Sequence, residues 1–419
     1  MSTSRLIAVA ATLSLAACVD SPYAPPAVPQ TASLQESGGR GVFQRYVAMG
    51  TSISMGVASD GVVASSQENS WPAQLARMGS REITQPYIQA PGCHAPIAVP
   101  LGGGVRTSGE LILAPPATLR CAPLVDGVSL PTQNVAIDGA RVANALGSTP
   151  ENITDAGRVQ LYSRVLPPGA TQLTAMAAQN PKLVSIEFGA NEILGVQSGI
   201  AVAGPPPAPI LAPQLFAAQY GQLLDAVAAT KPQHVVLVGL SSLTTPLPAF
   251  LRGSEIAANT APLALVFNVL VLTDCGTTNQ LNLVYFVKLA TTIQAGLAAR
   301  QAGGGPVPFT CAGGGPLDAD LVLTPAEQAI LGAVITQMNA AIQAEAAARG
   351  WAYFSLDALY GAPGVRVPLN VVALMTSAVP FGPFMSLDGV HPNAAGQALI
   401  AAAAAQALNT TYDLGIPLP

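Results

Sequence analysis

The sequence predicts an α/β fold built on a largely parallel sheet, and three observations lead there. Short, continuous runs rich in β-branched and apolar residues recur along the chain, each closed by glycine or a loop. Stretches with helical spacing alternate with them, which is the order of βαβ units. Half of the 419 residues are hydrophobic, so a sizeable core is easily built. This length allows one large domain or two ordinary ones.

The elements follow in chain order. "RYVAMG" (Arg45–Gly50) is the first strand. "LVSIEFG" (Leu183–Gly189) and "HVVLVGL" (His234–Leu240) are two more, with a helix over Pro213–Thr230 between them that opens on proline. The strongest helix signal runs from Thr324 to Gly350. Thr324 fits an N-cap with Glu327 three residues on, Pro325 fits the first turn, and Gly350 ends it. "WAYFSLDAL" (Trp351–Leu359) reads as a further strand, and a final helix is expected over Asn393–Leu408.

Residues of about 81–132 and 243–320 break this rhythm. They are rich in Gly, Pro and Thr and hold four cysteines, Cys93, Cys121, Cys275 and Cys311. Loops this long inside a domain are usually functional or disordered, and the cysteines argue for ordered insertions. Four cysteines allow three connectivities. The pairs Cys93–Cys121 and Cys275–Cys311 are the favoured ones, because each brackets one loop-rich segment. No C-x-x-C pair occurs, so no metal site is expected.

The start of the chain has its own logic. Arg5 provides a positive n-region, Leu6–Leu15 an apolar h-region, and "LAAC" (Leu15–Cys18) closes a signal peptide over residues 1–18. That tetrapeptide resembles a bacterial lipobox, which implies lipidation of Cys18 and a membrane tether. Residues 19–42, rich in Pro and Ser, then form a flexible linker ahead of a domain spanning 43–412. Val19 is not acidic, so resemblance to Gram-negative lipoproteins implies the cell envelope, at the outer membrane. Secretion after ordinary cleavage is the other outcome.

Charge excludes some partners. Only 9% of residues are charged and the formal net charge is −5, so there is no basic field for nucleic acid. "APLALVFNVLVL" (Ala261–Leu272) falls short of the roughly 18 apolar residues of a membrane span and reads as a buried segment.

Two motifs carry chemistry. The first strand runs into "GTSISMG" (Gly50–Gly56), which could be a plain turn or a strand delivering a serine nucleophile. Of three histidines, His94 lies in an insertion and His234 opens a strand. His391 lies in "SLDGVHPNAAGQ", three residues after Asp388, in a loop that turns directly into a helix. An acid beside an imidazole fixes its tautomer and stabilises the imidazolium, as a general base requires.

Together these blocks resemble the SGNH (GDSL) hydrolase family. Ser52 takes the nucleophile's place, with Ser54 and Gly56 at the family's spacing. Gly139 of "NVAIDGARV" matches the glycine whose N–H joins the oxyanion hole, and Asn191 of "FGANE" matches the side-chain donor. "DGVHP" supplies Asp388 and His391, and "SWPAQLA" (Ser70–Ala76) resembles the segment after the first block. The resemblance spans residues of about 43–410. It implies a three-layer flavodoxin-like fold, a central parallel sheet flanked by helices, here with two disulfide-containing insertions. It further implies a Ser52–His391–Asp388 triad, an oxyanion hole of the Ser52 and Gly139 N–H groups and the Asn191 amide, and no cofactor. Thr51 and Glu192 depart from the family, which has Asp at both places.

The expected function is therefore a carboxylic ester hydrolase, an esterase or lipase. The Leu-, Val-, Ala- and Pro-rich insertions tilt the substrate toward lipid-like or short-chain aliphatic esters. A carbohydrate acetyl esterase is the enzymatic alternative, and a binding lipoprotein without catalysis is the other. Two Trp and 5% aromatic residues weigh against sugar platforms, and retention of all five site residues weighs against lost catalysis. The α/β-hydrolase architecture expects G-x-S-x-G, which is missing from this sequence.

Overall fold

The apolar runs form a four-stranded parallel sheet in a computed structural model that describes residues 39–419, apart from 116, 117, 119 and 243–246. The signal peptide, Cys18 and the linker as far as residue 38 lie outside the described residues. A helical turn begins at Gly39 and buries Val42 and Phe43, so regular structure starts slightly before the boundary of 43 read from the sequence. Strands β1 (Tyr46–Met49), β2 (Leu183–Glu187), β3 (His234–Gly239) and β4 (Ala352–Ser355) lie side by side in that order. Tyr46 pairs with Leu183, Leu183 with His234, and Val236 with Ala352.

On the free side of β1 an extended segment adds one parallel bridge, Ala48 to Asn134, and the Val135 and Ile137 amides donate to Ala48 and Gly50. Counting that segment second in chain order gives the flavodoxin-like sequence 2-1-3-4-5. The order reverses at β1, and the carboxyl ends of β1 and its neighbours there form the crevice where such sheets place their chemistry.

Both faces of the sheet are covered, which explains why its strands read as unbroken apolar runs. Tyr46, Ala48, Val236 and Val238 pack with helices α2 (Trp71–Met78) and α6 (Ala394–Tyr412) on one side. Val47, Met49, Val184, Ile186, Val235 and Leu237 face α3 (Pro213–Ala229) and α5 (Pro325–Arg349) on the other. The α5 caps follow the sequence reading. The Thr324 amide donates to Glu327 Oε2 at 2.7 Å, and Gly350 closes the helix at φ +65°.

Both insertions are stapled as expected, Cys93 to Cys121 and Cys275 to Cys311. Closing loops of this length stabilises by roughly 4 kcal/mol each in the chain-entropy model. The second insertion is more regular than its composition suggested. It holds the strands Phe250–Arg252 and Leu283–Tyr285, the second of which also pairs antiparallel with Val322–Leu323 just past the insertion, and the 16-residue helix α4 (Phe286–Gln301).

The segment Ala261–Leu272 corrects its sequence reading. It forms a helix, Thr260–Phe267, and a strand, Val269–Val271, that are only half buried. Leu263, Phe267 and Val269 enter the core, while Leu265 is 78% exposed and Val266, Leu270 and Leu272 also face outward. This short helix pairs one face with the core and leaves the other outward among the described residues. Among the described residues no helix is long and apolar enough to cross a membrane.

Candidate active site

The serine turn is built at the end of β1. After Gly50 the chain enters a single helical turn, α1 (Ser52–Met55), with Thr51 as N-cap and Ser52 as first residue. Gly56 ends it at φ +87°, where a Cβ would press on the Gln67 and Ser66 backbone at 2.9 Å. Every residue of α1 is buried.

Buried polar side chains hold this turn from several elements. Gln397 of α6 accepts from the Trp71 amide at 2.9 Å and donates to the Ile53 carbonyl at 3.0 Å. The Trp71 indole donates to Ser54 Oγ at 3.1 Å, and the Asn134 amide donates to the Ser54 carbonyl at 2.8 Å. Glu187, at the end of β2, accepts from the Thr51 and Ser54 backbone and hydroxyl groups. Burial pushes the Glu187 carboxyl up, and these four donors oppose the shift.

The base and its acid sit on the loop before α6. His391 Nδ1 lies 2.8 Å from Asp388 Oδ2, which also accepts from the Asp60 amide at 2.6 Å. Asp388 Oδ1 accepts from the Val390 and His391 amides, both at 2.8 Å. Burial would raise the Asp388 carboxyl, but the His391 charge and these donors bring it below the usual carboxylate range. For His391 the balance reverses. Burial disfavours its charged form, yet Asp388, with smaller help from Asp138 and Asp60, lifts it to about 9.

The oxyanion candidates come from the ends of the two segments that flank β1. Gly139 follows the extended segment beside β1 and has φ +68°, with the Arg158 guanidinium lying where a side chain would go. Asn191 follows β2, and its amide nitrogen donates to the Ala140 carbonyl at 2.9 Å, tying it to the Gly139 turn. Glu192 points away into the protein and accepts from the Val142 amide at 2.7 Å. Burial lifts its carboxyl to about 7.

The structure brings Ser52, Gly139, Asn191, Asp388 and His391 to the lining of one cleft. The rest of that cleft is mixed, with Asp138, Arg141, Asp155 and Arg158 set among Ile97, Ile112, Ile153 and Val287. A second pocket also opens at Ser52 and His391 and is mostly apolar, lined by Ile193, Val196, Leu240, Phe250, Leu331 and Ile335, with Ser241 and Ser242 also at its wall. Its insertion residues include Leu247, Phe250 and Leu283. Among the described residues no cluster of His, Cys, Asp and Glu could hold a metal ion.

The other histidines divide. His94, placed in the first insertion by sequence, also lines the cleft that holds Gly139 and Asn191, with Nε2 2.6 Å from the Gly157 carbonyl. His234 stands at the opposite end of β3 and packs on Tyr412, ring centres 4.5 Å apart. Sequence reasoning missed Glu187 and the cleft position of His94. A glutamate inside an otherwise apolar strand run was the available signal for the first, since a buried acid needs partners.

Comparison with known proteins matches a family model described as GDSL-like Lipase/Acylhydrolase over residues 46–404. No curated protein matches the chain. Among solved structures it is similar to the extracellular lipase from Streptomyces rimosus, with 16% sequence identity and a TM-score of 0.34. That match covers 87% of this chain and 98% of the lipase.

Proposed function

Since the chain belongs to the GDSL-like lipase/acylhydrolase family, we propose that it is a serine-dependent carboxylic ester hydrolase working through an acyl-enzyme. The observation that carries this reading is the meeting of Ser52, the Asp388–His391 pair, Gly139 and Asn191 at one cleft. In this scheme Ser52 attacks the ester carbonyl while His391 takes its proton and Asp388 holds the ring. The Ser52 and Gly139 amides and the Asn191 side chain receive the developing oxyanion. His391 returns the proton to the departing alcohol, then activates a water that frees the acid.

The two spaces flanking Ser52 suggest how an ester would lie. The apolar pocket suits an aliphatic acyl chain, because burying each CH₂ there is worth about 0.8 kcal/mol. The cleft with Asp138, Arg141, Asp155 and Arg158 suits a polar alcohol. This arrangement favours acyl esters with a chain longer than acetyl over polysaccharide acetyl groups.

A p-nitrophenyl ester series from acetate to octanoate tests the reading. Hydrolysis that improves with chain length supports it. Activity on acetate alone would favour an acetyl esterase, and no turnover of any member would sink catalysis.

Lipid anchoring at Cys18 is proposed alongside, on the "LAAC" sequence alone. Radiolabelled palmitate should enter the wild-type protein in a bacterial host and not a Cys18→Ala variant. Equal labelling of both would remove the proposal.

A further inference from the structure

Glu187 is a 2% exposed carboxylate that the hydrolytic scheme leaves without a role. Four donors of the serine turn converge on it. The Thr51 and Ser54 amides lie at 3.0 and 3.3 Å from Oε2, and the Ser54 hydroxyl at 3.0 Å. The Thr51 hydroxyl lies 2.9 Å from Oε1. Ser54 Oγ already accepts the Trp71 indole N–H, so its own proton is available to Glu187.

A helix needs acceptors for its first amides, and the N-cap side chain ordinarily supplies one to the third helical residue. In α1 that residue is Ser54 and the N-cap is Thr51. The Thr51 side chain makes no capping bond. Its hydroxyl is turned to Glu187 instead, and Glu187 takes the Ser54 amide.

We propose that Glu187 supplies the capping acceptor that the N-cap residue Thr51 does not, from a strand 136 residues further on, and is thereby the positioning residue that sets where Ser52 is presented. The proposal rests on the ester-hydrolase reading for its functional consequence. Physically, the cap fixes both residues flanking Ser52 and Ile53, so the hydroxyl is carried on a turn held to the sheet. A carboxylate binds N–H and O–H donors roughly twice as strongly as a neutral acceptor does. Misplacement of a reacting group by about 1 Å can cost about 10²-fold in rate.

The experiment moves the carboxylate from the strand to the turn. Glu187→Gln, Thr51→Asp and the double variant are compared with wild type on p-nitrophenyl octanoate, together with the rate of Ser52 labelling by a fluorophosphonate. Thermal melts establish how much of each is folded. Glu187→Gln should lower kcat and the labelling rate at least tenfold, with KM within about twofold. Thr51→Asp alone should also lose activity, since two adjoining buried carboxylates cannot both stay ionised. The double variant should regain at least tenfold over Glu187→Gln, because the aspartate introduced at the N-cap position can cap Ser54 directly.

Three results would overturn the role of Glu187. They are full activity in Glu187→Gln, a loss explained wholly by unfolded protein, and a double variant no better than the single ones. A wild type that neither hydrolyses the ester nor takes the label overturns the hydrolase reading and this role with it. An active wild type with an equally active Glu187→Gln overturns this role alone.

Discussion

Asp388 meets His391 through Nδ1 at 2.8 Å, which leaves Nε2 as the ring nitrogen for the proton exchange proposed at Ser52. The same contact lifts His391 to about 9, although burial works against it. A raised value means that the neutral base form is scarce at pH 7 and grows as pH rises. We therefore expect kcat/KM to climb with a midpoint near pH 9. In Asp388→Asn the midpoint should fall toward about 6.5, with kcat reduced about 10⁴-fold. A pH–rate profile with the same midpoint in both proteins would contradict the assignment.

The three histidines should separate cleanly in kinetics. His391→Ala and Ser52→Ala should each abolish nearly all turnover, and the double variant should be no worse, because groups acting as a unit do not lose activity additively. His94→Ala should raise KM a few-fold and keep kcat, since its ring lines the cleft and its Nε2 is occupied at the Gly157 carbonyl. His234→Ala, at the far end of β3 against Tyr412, should leave both constants near wild type. Collapse of kcat in His94→Ala alone would relocate the base.

Asn191 and Glu192 are neighbours with opposite expectations. Asn191→Ala should cost about 10²–10³ in kcat, the usual effect of losing one oxyanion donor. Glu192→Gln keeps an acceptor for the Val142 amide and should stay within tenfold of wild type. Its stability should change with pH in a defined direction. Burial lifts Glu192 to about 7, so the folded wild type holds a proton that the unfolded chain has released, and loses stability as pH rises from about 4.5 to 7. Melting temperatures of Glu192→Gln should gain on wild type across that window, and a constant gap would count against the buried, raised carboxyl.

Filling the apolar pocket should change chain-length preference without disabling the triad. Ile193 lines that pocket and is only partly buried. Ile193→Trp should cut kcat/KM on octanoate at least tenfold and change acetate by no more than about threefold. An equal loss on both esters would mean that the acyl chain lies elsewhere.

Much of this molecule was legible locally. Apolar runs ended by glycine or a loop became β1 to β4, and the central ones need no alternation because both their faces are covered. Thr324, Glu327 and Gly350 marked α5 because caps act within a few residues. The cysteine pairs followed from the insertions they bracket. Ser52, Gly139, Asn191, Asp388 and His391 stood out as short motifs, and their types and order led to one cleft.

Other features depend on contacts that no local pattern encodes. Thr260–Phe267 has a half-exposed face because Leu265 and Val266 point outward among the described residues, and apolar residues read alike whether covered or not. His94 reaches the cleft because the first insertion folds back over it. The sequence by itself determined the strands, the principal helices, the staples and which residues are the candidate reacting groups, since each rests on spacing of a few residues or on a motif. Only the tertiary structure decided that the acid capping the serine turn comes from the end of β2. Thr51 and Glu187 are adjacent because β1 and β2 pair in parallel, with Met49 opposite Ile186, and that register is a property of the folded sheet.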